Sequence, residues 1–230
     1  MSVIPFSKLS KLPPLQPGDH LDQKTFHERY EAMPRGTRAE LIGGIVYMPP
    51  PISDAHSDQH PSLMFWLTWY AMSTPGTKAS VTPTIILADD SEPQPDATLR
   101  IVKGNTKSVR RKRTTYLSGP PELVAEVSVS SESIDLHEKK DDYEANGVKE
   151  YVTILTQVRR IAWFFRKGRR LMEVLPDKDG IIRSKVFPGL WLEPSAMLAD
   201  DLWRIQEVLD QGLATPEHAA FVAVLPKSNG

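Results

Sequence analysis

An apolar run with a carboxylate inside it constrains the fold of this 230-residue chain more than any other feature. The run is Leu123-Val124-Ala125-Glu126-Val127-Ser128, and its composition is typical of a β-strand. If Glu126 is buried in that strand, it must be paired, bound to a metal or protonated. If the face that carries it is exposed, the glutamate is an ordinary polar member of an alternating pattern.

The residues around this run predict a mixed α/β chain with a strand–helix–strand unit at its centre. Strands are predicted over 96–102 and 122–128, and a helix over 135–146 with an acidic capping box at Asp135. A basic loop is predicted over 103–113. The other predicted elements are a helix over 25–33, a hairpin around Gly43-Gly44, a helix up to about residue 72 that is kinked at Pro61 or begins there, strands over 82–87, 150–155, 160–166, 171–175 and 187–192, and a helix over 200–209.

Composition excludes several classes of protein. The chain has no cysteine, so it contains no disulfide and no cysteine-ligated zinc or iron–sulfur site. A formal net charge of -1 gives no global attraction to nucleic acid, and any such attraction has to be local. No apolar run approaches the ~20 residues that span a bilayer, and no secretory signal is visible. We therefore expect a cytoplasmic protein that is not inserted in a membrane.

The predicted elements bring together the residue types that metal-dependent phosphodiester hydrolysis needs. Asp96 begins one strand, Glu126 lies inside another, and Lys139 lies in the first turns of the helix. Carboxylate oxygens are the ligands that Mg²⁺ or Mn²⁺ prefers, and such a cation activates water and offsets charge on the phosphate. A lysine beside them stabilises the charge that develops or positions the water. No dinucleotide-binding, P-loop or serine-hydrolase motif competes with this interpretation.

Short motifs along the chain follow one another in a specific order. They are Ala39-Glu40-Leu41-Ile42-Gly43-Gly44, Pro49-Pro50-Pro51 with His56, Gln94-Pro95-Asp96, Pro120-Pro121-Glu122-Leu123-Val124-Ala125-Glu126-Val127, Asp135-x-x-x-Lys139-x-x-x-Tyr143, Gly147-Val148-Lys149-Glu150-Tyr151 and Val186-Phe187-Pro188-Gly189-Leu190. This order and spacing, over residues 20–205, resemble the Uma2 family of bacterial restriction endonucleases. That family belongs to the PD-(D/E)XK nuclease superfamily.

The resemblance implies a restriction-endonuclease-like α/β fold, in which helices flank a mixed β-sheet. It also implies a set of site residues: Asp96, Glu126 and Glu40 as metal-binding and catalytic carboxylates, Lys139 as the catalytic lysine, and His56, Asp135 and Tyr143 nearby. The superfamily motif places its lysine two residues after the glutamate, where this chain has Ser128. The resemblance therefore implies that the lysine has moved to the helix, at Lys139.

The implied organisation is an extended proline-rich arm over 1–20, a single nuclease-like domain over 21–210 and a loosely held tail over 211–230. The implied activity is Mg²⁺- or Mn²⁺-dependent hydrolysis of DNA phosphodiester bonds. A homodimer is expected only because such an enzyme cuts two strands. The basic loop is either exposed to solvent or binds DNA phosphates through Lys107, Arg110, Arg111 and Arg113.

Plainer interpretations stay open at this point. Lys139 and Asp135 are also an ordinary i, i+4 pair on a helix surface. Glu40 could pair with a nearby arginine, and His60 is taken as a surface histidine because no third metal ligand accompanies it. Two other functions compete with the nuclease. One is a nuclease-fold module that binds nucleic acid or protein without cutting, and the other is a structural module that builds a dimer.

Overall fold

The computed structural model describes residues 12–49, 59–111, 114–129 and 132–226. The helices in these ranges are α1 (Gln23–Ala32), α2 (His60–Ser73), α3 (Glu132–Leu136), α4 (Glu138–Ala145), α5 (Pro194–Leu198), α6 (Leu202–Leu213) and α7 (Pro216–Val224). The strands are β1 (Glu40–Ile42), β2 (Ile45–Tyr47), β3 (Thr77–Val81), β4 (Ile85–Ile86), β5 (Ala97–Ile101), β6 (Lys107–Arg111), β7 (Thr114–Ser118), β8 (Leu123–Ser128), β9 (Glu150–Leu155), β10 (Arg160–Lys167), β11 (Arg170–Val174), β12 (Ile182–Arg183) and β13 (Trp191–Leu192).

A six-stranded mixed sheet in the order β11-β10-β9-β8-β5-β3 forms the centre of the described structure. Strands β8 and β9 are parallel, and the other neighbours in this sheet are antiparallel. The chain therefore has the mixed α/β architecture, with a multi-stranded sheet flanked by helices, that the sequence predicted. The parallel pair is joined through α3 and α4, which is the predicted strand–helix–strand unit.

Alternation along the central strands gives the sheet two different faces. On the face that we call the core face, Ala125 and Val127 of β8 join the largest apolar cluster, together with Trp66 and Leu67 of α2 and residues of α5 and α6. On the opposite face, which we call the site face, Val124 packs with residues of α4 and β9. Glu126 lies between the two core-face residues of β8 and therefore points to the site face.

The hairpin β1–β2 lies beside this sheet and presents Glu40 towards it. Its turn is formed by Gly43 and Gly44, which have positive φ values of 54° and 79°. A two-residue turn with two positive φ angles suits Gly-Gly, and the predicted hairpin is confirmed. The described end of the N-terminal arm runs along β2, with Gly18 donating its N–H to the carbonyl of Val46.

The helix predicted over 135–146 is divided into α3 and α4. The break falls at His137, whose backbone angles (φ -119°, ψ -82°) are not helical. Next to this break, the carbonyl oxygen of Asp135 accepts a hydrogen bond from the Tyr151 hydroxyl at 3.0 Å. Asp135 therefore lies inside α3 rather than at an N-cap, and the predicted capping box is wrong. Gly147 ends α4 with a φ of 91°, as predicted.

Other boundaries also differ from the prediction. Part of the predicted basic loop is strand β6, which pairs with β7 in a separate three-stranded sheet. The strand predicted over 82–87 is replaced by β3 and the short β4, separated by Thr82, Pro83 and Thr84. Of the two predicted alternatives for α2, the start at Pro61 is confirmed, because Pro61 lies in the first turn of the helix. Helix α7 follows α6 where no element was predicted.

None of the described helices is long and apolar enough to cross a membrane.

Candidate active site

Strand register brings the two predicted metal ligands face to face. Strands β5 and β8 are antiparallel with Ala97 opposite Ala125, so Asp96 is opposite Glu126. The Asp96 backbone N–H donates to Glu126 Oε2 at 3.3 Å, and the Val127 N–H donates to Asp96 Oδ2 at 2.8 Å. Each carboxylate is thus fixed by the strand that carries the other. The pair depends on main-chain geometry and not only on side-chain rotamers.

Lys139 reaches the centre of the cluster from helix α4. Its Nζ lies 3.0 Å from Glu126 Oε1, 3.1 Å from Glu40 Oε2 and 3.6 Å from Asp135 Oδ1. Glu40 is held in place because the Gln94 backbone N–H donates to its other oxygen at 2.6 Å. The predicted residues therefore meet in one place, although they come from a hairpin, a loop, a strand and two helices.

Tyr143 lies one turn beyond Lys139 on the same face of α4. Its hydroxyl donates to Glu126 Oε1 at 2.9 Å, the same oxygen that faces the ammonium. Burial raises the pKa of Tyr143 well above its usual value, so this hydroxyl keeps its proton. Tyr143 therefore orients Glu126 and adds no charge to the cluster.

The cluster is almost completely removed from water. Glu126 is 3% exposed and Lys139 is 8% exposed. Burial raises the pKa of Glu126 well above its usual value, Lys139 opposes that rise, and Asp96, Asp135 and Glu40 add to it. Burial would lower the pKa of Lys139, but Glu126 and the other carboxylates outweigh burial and raise it, so the ammonium stays charged.

The donor chemistry of the cluster suits a hard divalent cation. Four carboxylates surround a single ammonium, which leaves an excess of negative charge that a proton or a cation would offset. All four are oxygen donors, which Mg²⁺ and Mn²⁺ prefer. In the part of the chain that the structure describes, no three His, Asp or Glu side chains already stand in metal-holding positions. Lys139 forms ion pairs with three of the four carboxylates.

His60 belongs to this site, and the prediction that it is a surface histidine is wrong. Its Nε2 lies 3.4 Å from Asp96 Oδ1, and its side chain is 20% exposed. The imidazole stands in the first turn of α2, because Pro61 fixes the start of the helix at this point. Pro61 was the signal in the sequence that could have identified His60. A helix that starts at this proline places His60 at the N-terminus of the helix rather than on its exposed side.

The remaining predicted residues are His56, Lys107, Arg110, Arg111 and Arg113. His56 and Arg113 lie outside the described residues. Lys107, Arg110 and Arg111 lie on β6, in a different sheet from the one that carries the site carboxylates. Their predicted contact with nucleic acid therefore stays a prediction.

A solved structure shares this fold. The match is titled as a "putative nuclease belonging to DUF820" from Anabaena variabilis, with a TM-score of 0.59 and 13% sequence identity. It covers 75% of this chain and 96% of that chain. At this identity the likeness concerns the fold alone, a mixed sheet flanked by helices. A search of curated proteins finds no match.

The sequence itself matches a family model over residues 25–195, which is well over half of the chain. The model is Uma2, and its description is "Putative restriction endonuclease". The chain therefore belongs to the Uma2 family, as the motifs predicted. The matched range contains Glu40, His60, Asp96, Glu126 and Lys139.

Proposed function

We propose that this protein is an endonuclease that hydrolyses DNA phosphodiester bonds with the help of Mg²⁺ or Mn²⁺. The observation that carries this proposal is the buried cluster in which one ammonium faces an excess of carboxylates. Burying such a charge excess lowers the stability of the fold, and clusters of this kind are typical of functional sites. Membership of the Uma2 family supports a nucleic acid as the substrate.

The proposed metal ligands are Asp96, Glu126 and Glu40. When bound, the cation polarises the phosphate and lowers the pKa of water. Lys139 holds a positive charge where the negative charge of the reacting phosphate increases. Tyr143 keeps Glu126 oriented through its hydrogen bond to Oε1, and His60 lies against Asp96 on the more open side of the cluster.

A plasmid-nicking assay in Mg²⁺ and in Mn²⁺ tests the proposal. The variants are Asp96→Ala, Glu126→Ala and Lys139→Ala, purified in the same way as the wild type. Lys140→Ala is the matched control, because Lys140 is the next residue of the same helix and pairs with Asp141 and Glu144 instead. We expect cation-dependent nicking that all three site variants lose and that Lys140→Ala keeps. Equal nicking by the wild type and all of the site variants would contradict the proposed site.

The second candidate function is a nuclease-fold module that binds nucleic acid or protein without cutting. It is favoured by the ion pairs that Lys139 already makes, since they occupy oxygens that a cation would need. Calorimetric titration with Mn²⁺ distinguishes the two functions. Saturable binding that is lost in Asp96→Ala supports the endonuclease, whereas no binding together with retention of DNA supports the module.

Two further parts of the proposal are independent of the chemistry. Cutting both strands of a duplex would use two active sites, so we propose a homodimer. Sedimentation with and without DNA measures this directly, and a monomer under both conditions would contradict it. The cytoplasmic location stays a prediction.

A further inference from the structure

A second polar site lies at the far end of strand β5. A cavity of about 490 Å³ opens there, and its lining includes four cationic side chains: Lys78, Arg100, Lys103 and Lys107. No acidic residue is among the residues that line it. The three lysines are exposed, and none of them makes an ion pair within the described part of the chain. The cavity therefore has a local excess of positive charge on a chain that is nearly neutral.

The sheet register forces two of these cations together. Strand β3 pairs with β5 so that Lys78 is directly opposite Arg100. Side chains that are directly opposite stand on the same face of the sheet, about 5 Å apart at Cβ, and like charges in such pairs are destabilising. An anion between them would turn this repulsion into attraction.

Two buried polar atoms at the cavity also point to a ligand. Arg100 is 6% exposed, and its Nε has no hydrogen-bond partner among the described residues. The hydroxyl of Thr106, which is 1% exposed, has none either. Buried donors are normally satisfied, so two unsatisfied donors beside one cavity require an explanation.

A nearby carboxylate does not supply the missing partner. Burial lowers the pKa of Arg100, and the charge of Glu122, the residue directly before β8, opposes that lowering. However, Glu122 Oε2 accepts from the Ile101 backbone N–H at 2.9 Å, and Oε1 lies 3.6 Å from Lys149 Nζ. The carboxylate is therefore already engaged by other groups, and among the described residues it forms no ion pair with the lysines of the cavity.

We propose that this cavity binds a phosphate group. A planar guanidinium offers several N–H donors to phosphate oxygens, the Thr106 hydroxyl can donate one more hydrogen bond, and the exposed lysines can close over the anion. The cavity is distinct from the carboxylate cluster, because the cluster has the opposite charge and lies at the other end of β5.

The position of the cavity relates it to the proposed reaction. Asp96 and Arg100 are four residues apart and share the site face, which puts their Cα atoms about 13 Å apart along the strand. Phosphates of one DNA strand are spaced by about 3.4 Å along the helix axis, so one strand can reach both sites. On this basis, the phosphate group that the cavity binds belongs to the DNA backbone and lies a few nucleotides from the bond that is cut. This last step rests on the proposed function, whereas phosphate binding itself does not.

Titration of the full chain with inorganic phosphate at constant ionic strength tests the cavity, with affinity measured by calorimetry. The variants are Lys78→Gln and Lys107→Gln, whose exposed side chains can be changed without disturbing the core. Lys178→Gln is the control, because Lys178 is exposed and distant in sequence from the cavity. We expect saturable 1:1 binding that each cavity variant weakens about tenfold and that the control leaves unchanged. No saturable binding, or an equal loss in the control, would overturn the proposal.

The source of the phosphate is tested with a labelled duplex in EDTA, which prevents cutting. Loss of one backbone contact in Lys78→Gln should reduce the slope of log affinity against log salt by about 0.9. An unchanged slope, with phosphate binding intact, would keep the site but assign it to a free anion. Both measurements are independent of nicking, so an inactive enzyme would contradict the proposed function without contradicting the phosphate site.

Discussion

Two buried glutamates on adjacent strands of the sheet have opposite surroundings. Glu126 of β8 points to the site face, and Glu150 at the start of β9 points to the core face. Glu150 accepts hydrogen bonds from the Ser184 hydroxyl and from the backbone N–H groups of Lys185 and Val186. Glu126 instead faces an ammonium and other carboxylates. One glutamate is surrounded by neutral donors, and the other belongs to a set of competing charges.

The comparison shows that burial alone does not mark a functional carboxylate. Burial raises the pKa of both groups, and for Glu150 the raised value is about 7. The two glutamates differ in whether their neighbours compensate the free-energy cost of burying a carboxylate. The three donors around Glu150 satisfy it and fasten the 184–186 segment to the sheet, whereas the carboxylates around Glu126 leave a charge excess that a ligand can use.

The largest expected difference between the two glutamates is in catalysis. Under the proposed function, Glu126→Gln should reduce plasmid nicking on the order of 10³-fold, equivalent to about 4 kcal/mol on the barrier. Glu150→Gln should nick at the wild-type rate while folded, because it has no contact with the site. Equal losses in both variants would mean that Glu126 acts only through stability.

Stability should show the opposite order. Glu150→Ala leaves three donors without an acceptor and should lower the free energy of unfolding by about 3 kcal/mol, because each unsatisfied buried group costs about 1 kcal/mol or more. Glu126→Ala should cost less, since it also removes repulsion from Glu40 and Asp135. Urea unfolding at pH 6 measures both, and a larger loss in Glu126→Ala would contradict the contrast.

The pH dependence of stability should separate Glu150 from its uncharged analogue. Its pKa is raised from 4.5 to about 7 by burial, so the folded state holds a proton that the unfolded state releases. This contribution is complete below pH 4.5 and is lost as the pH rises through 7. Relative to Glu150→Gln, the wild type should therefore lose about 2 kcal/mol between pH 5 and pH 8. Parallel pH profiles of the two proteins would disprove the buried-proton interpretation.

The smallest expected effect concerns the tyrosine that orients Glu126. Tyr143→Phe removes one neutral hydrogen bond and should lower stability by about 1 kcal/mol. It should also slow nicking about fivefold, because Glu126 loses part of its fixed orientation. Tyr70→Phe is the matched control, since its hydroxyl donates to the Pro188 carbonyl on the core face. Tyr70→Phe should lose a similar amount of stability and keep the wild-type nicking rate. If Tyr70→Phe also nicked more slowly, the proposed role of Tyr143 in orienting Glu126 would be contradicted.

Local pattern was sufficient to predict the elements that carry the cluster. The carboxylate inside an apolar strand, the Gly-Gly hairpin and the helix before Gly147 are all signals within a few residues. The strand order and the helix break depend on contacts between distant residues, such as Tyr151 with Asp135. The pairing of Lys78 with Arg100 also depends on such contacts, because only the β3–β5 register shows that the two residues are neighbours. Pro61 indicated where the helix that carries His60 begins, but the contact of His60 with Asp96 joins two distant elements and was missed.

The position of Lys139 after Glu40, Asp96 and Glu126 in the chain has a consequence for the order in which the cluster is completed. The ribosome releases Glu40, Asp96 and Glu126 before it releases Lys139, and the helix must then dock before the ammonium reaches them. A nascent or truncated chain that stops before this helix has the acidic half of the site and no basic half. Under the proposed function, the ability to cut arises only after this helix has docked. Under the same proposal, a chain that ends before this helix binds no phosphate through Lys139 and cannot cut.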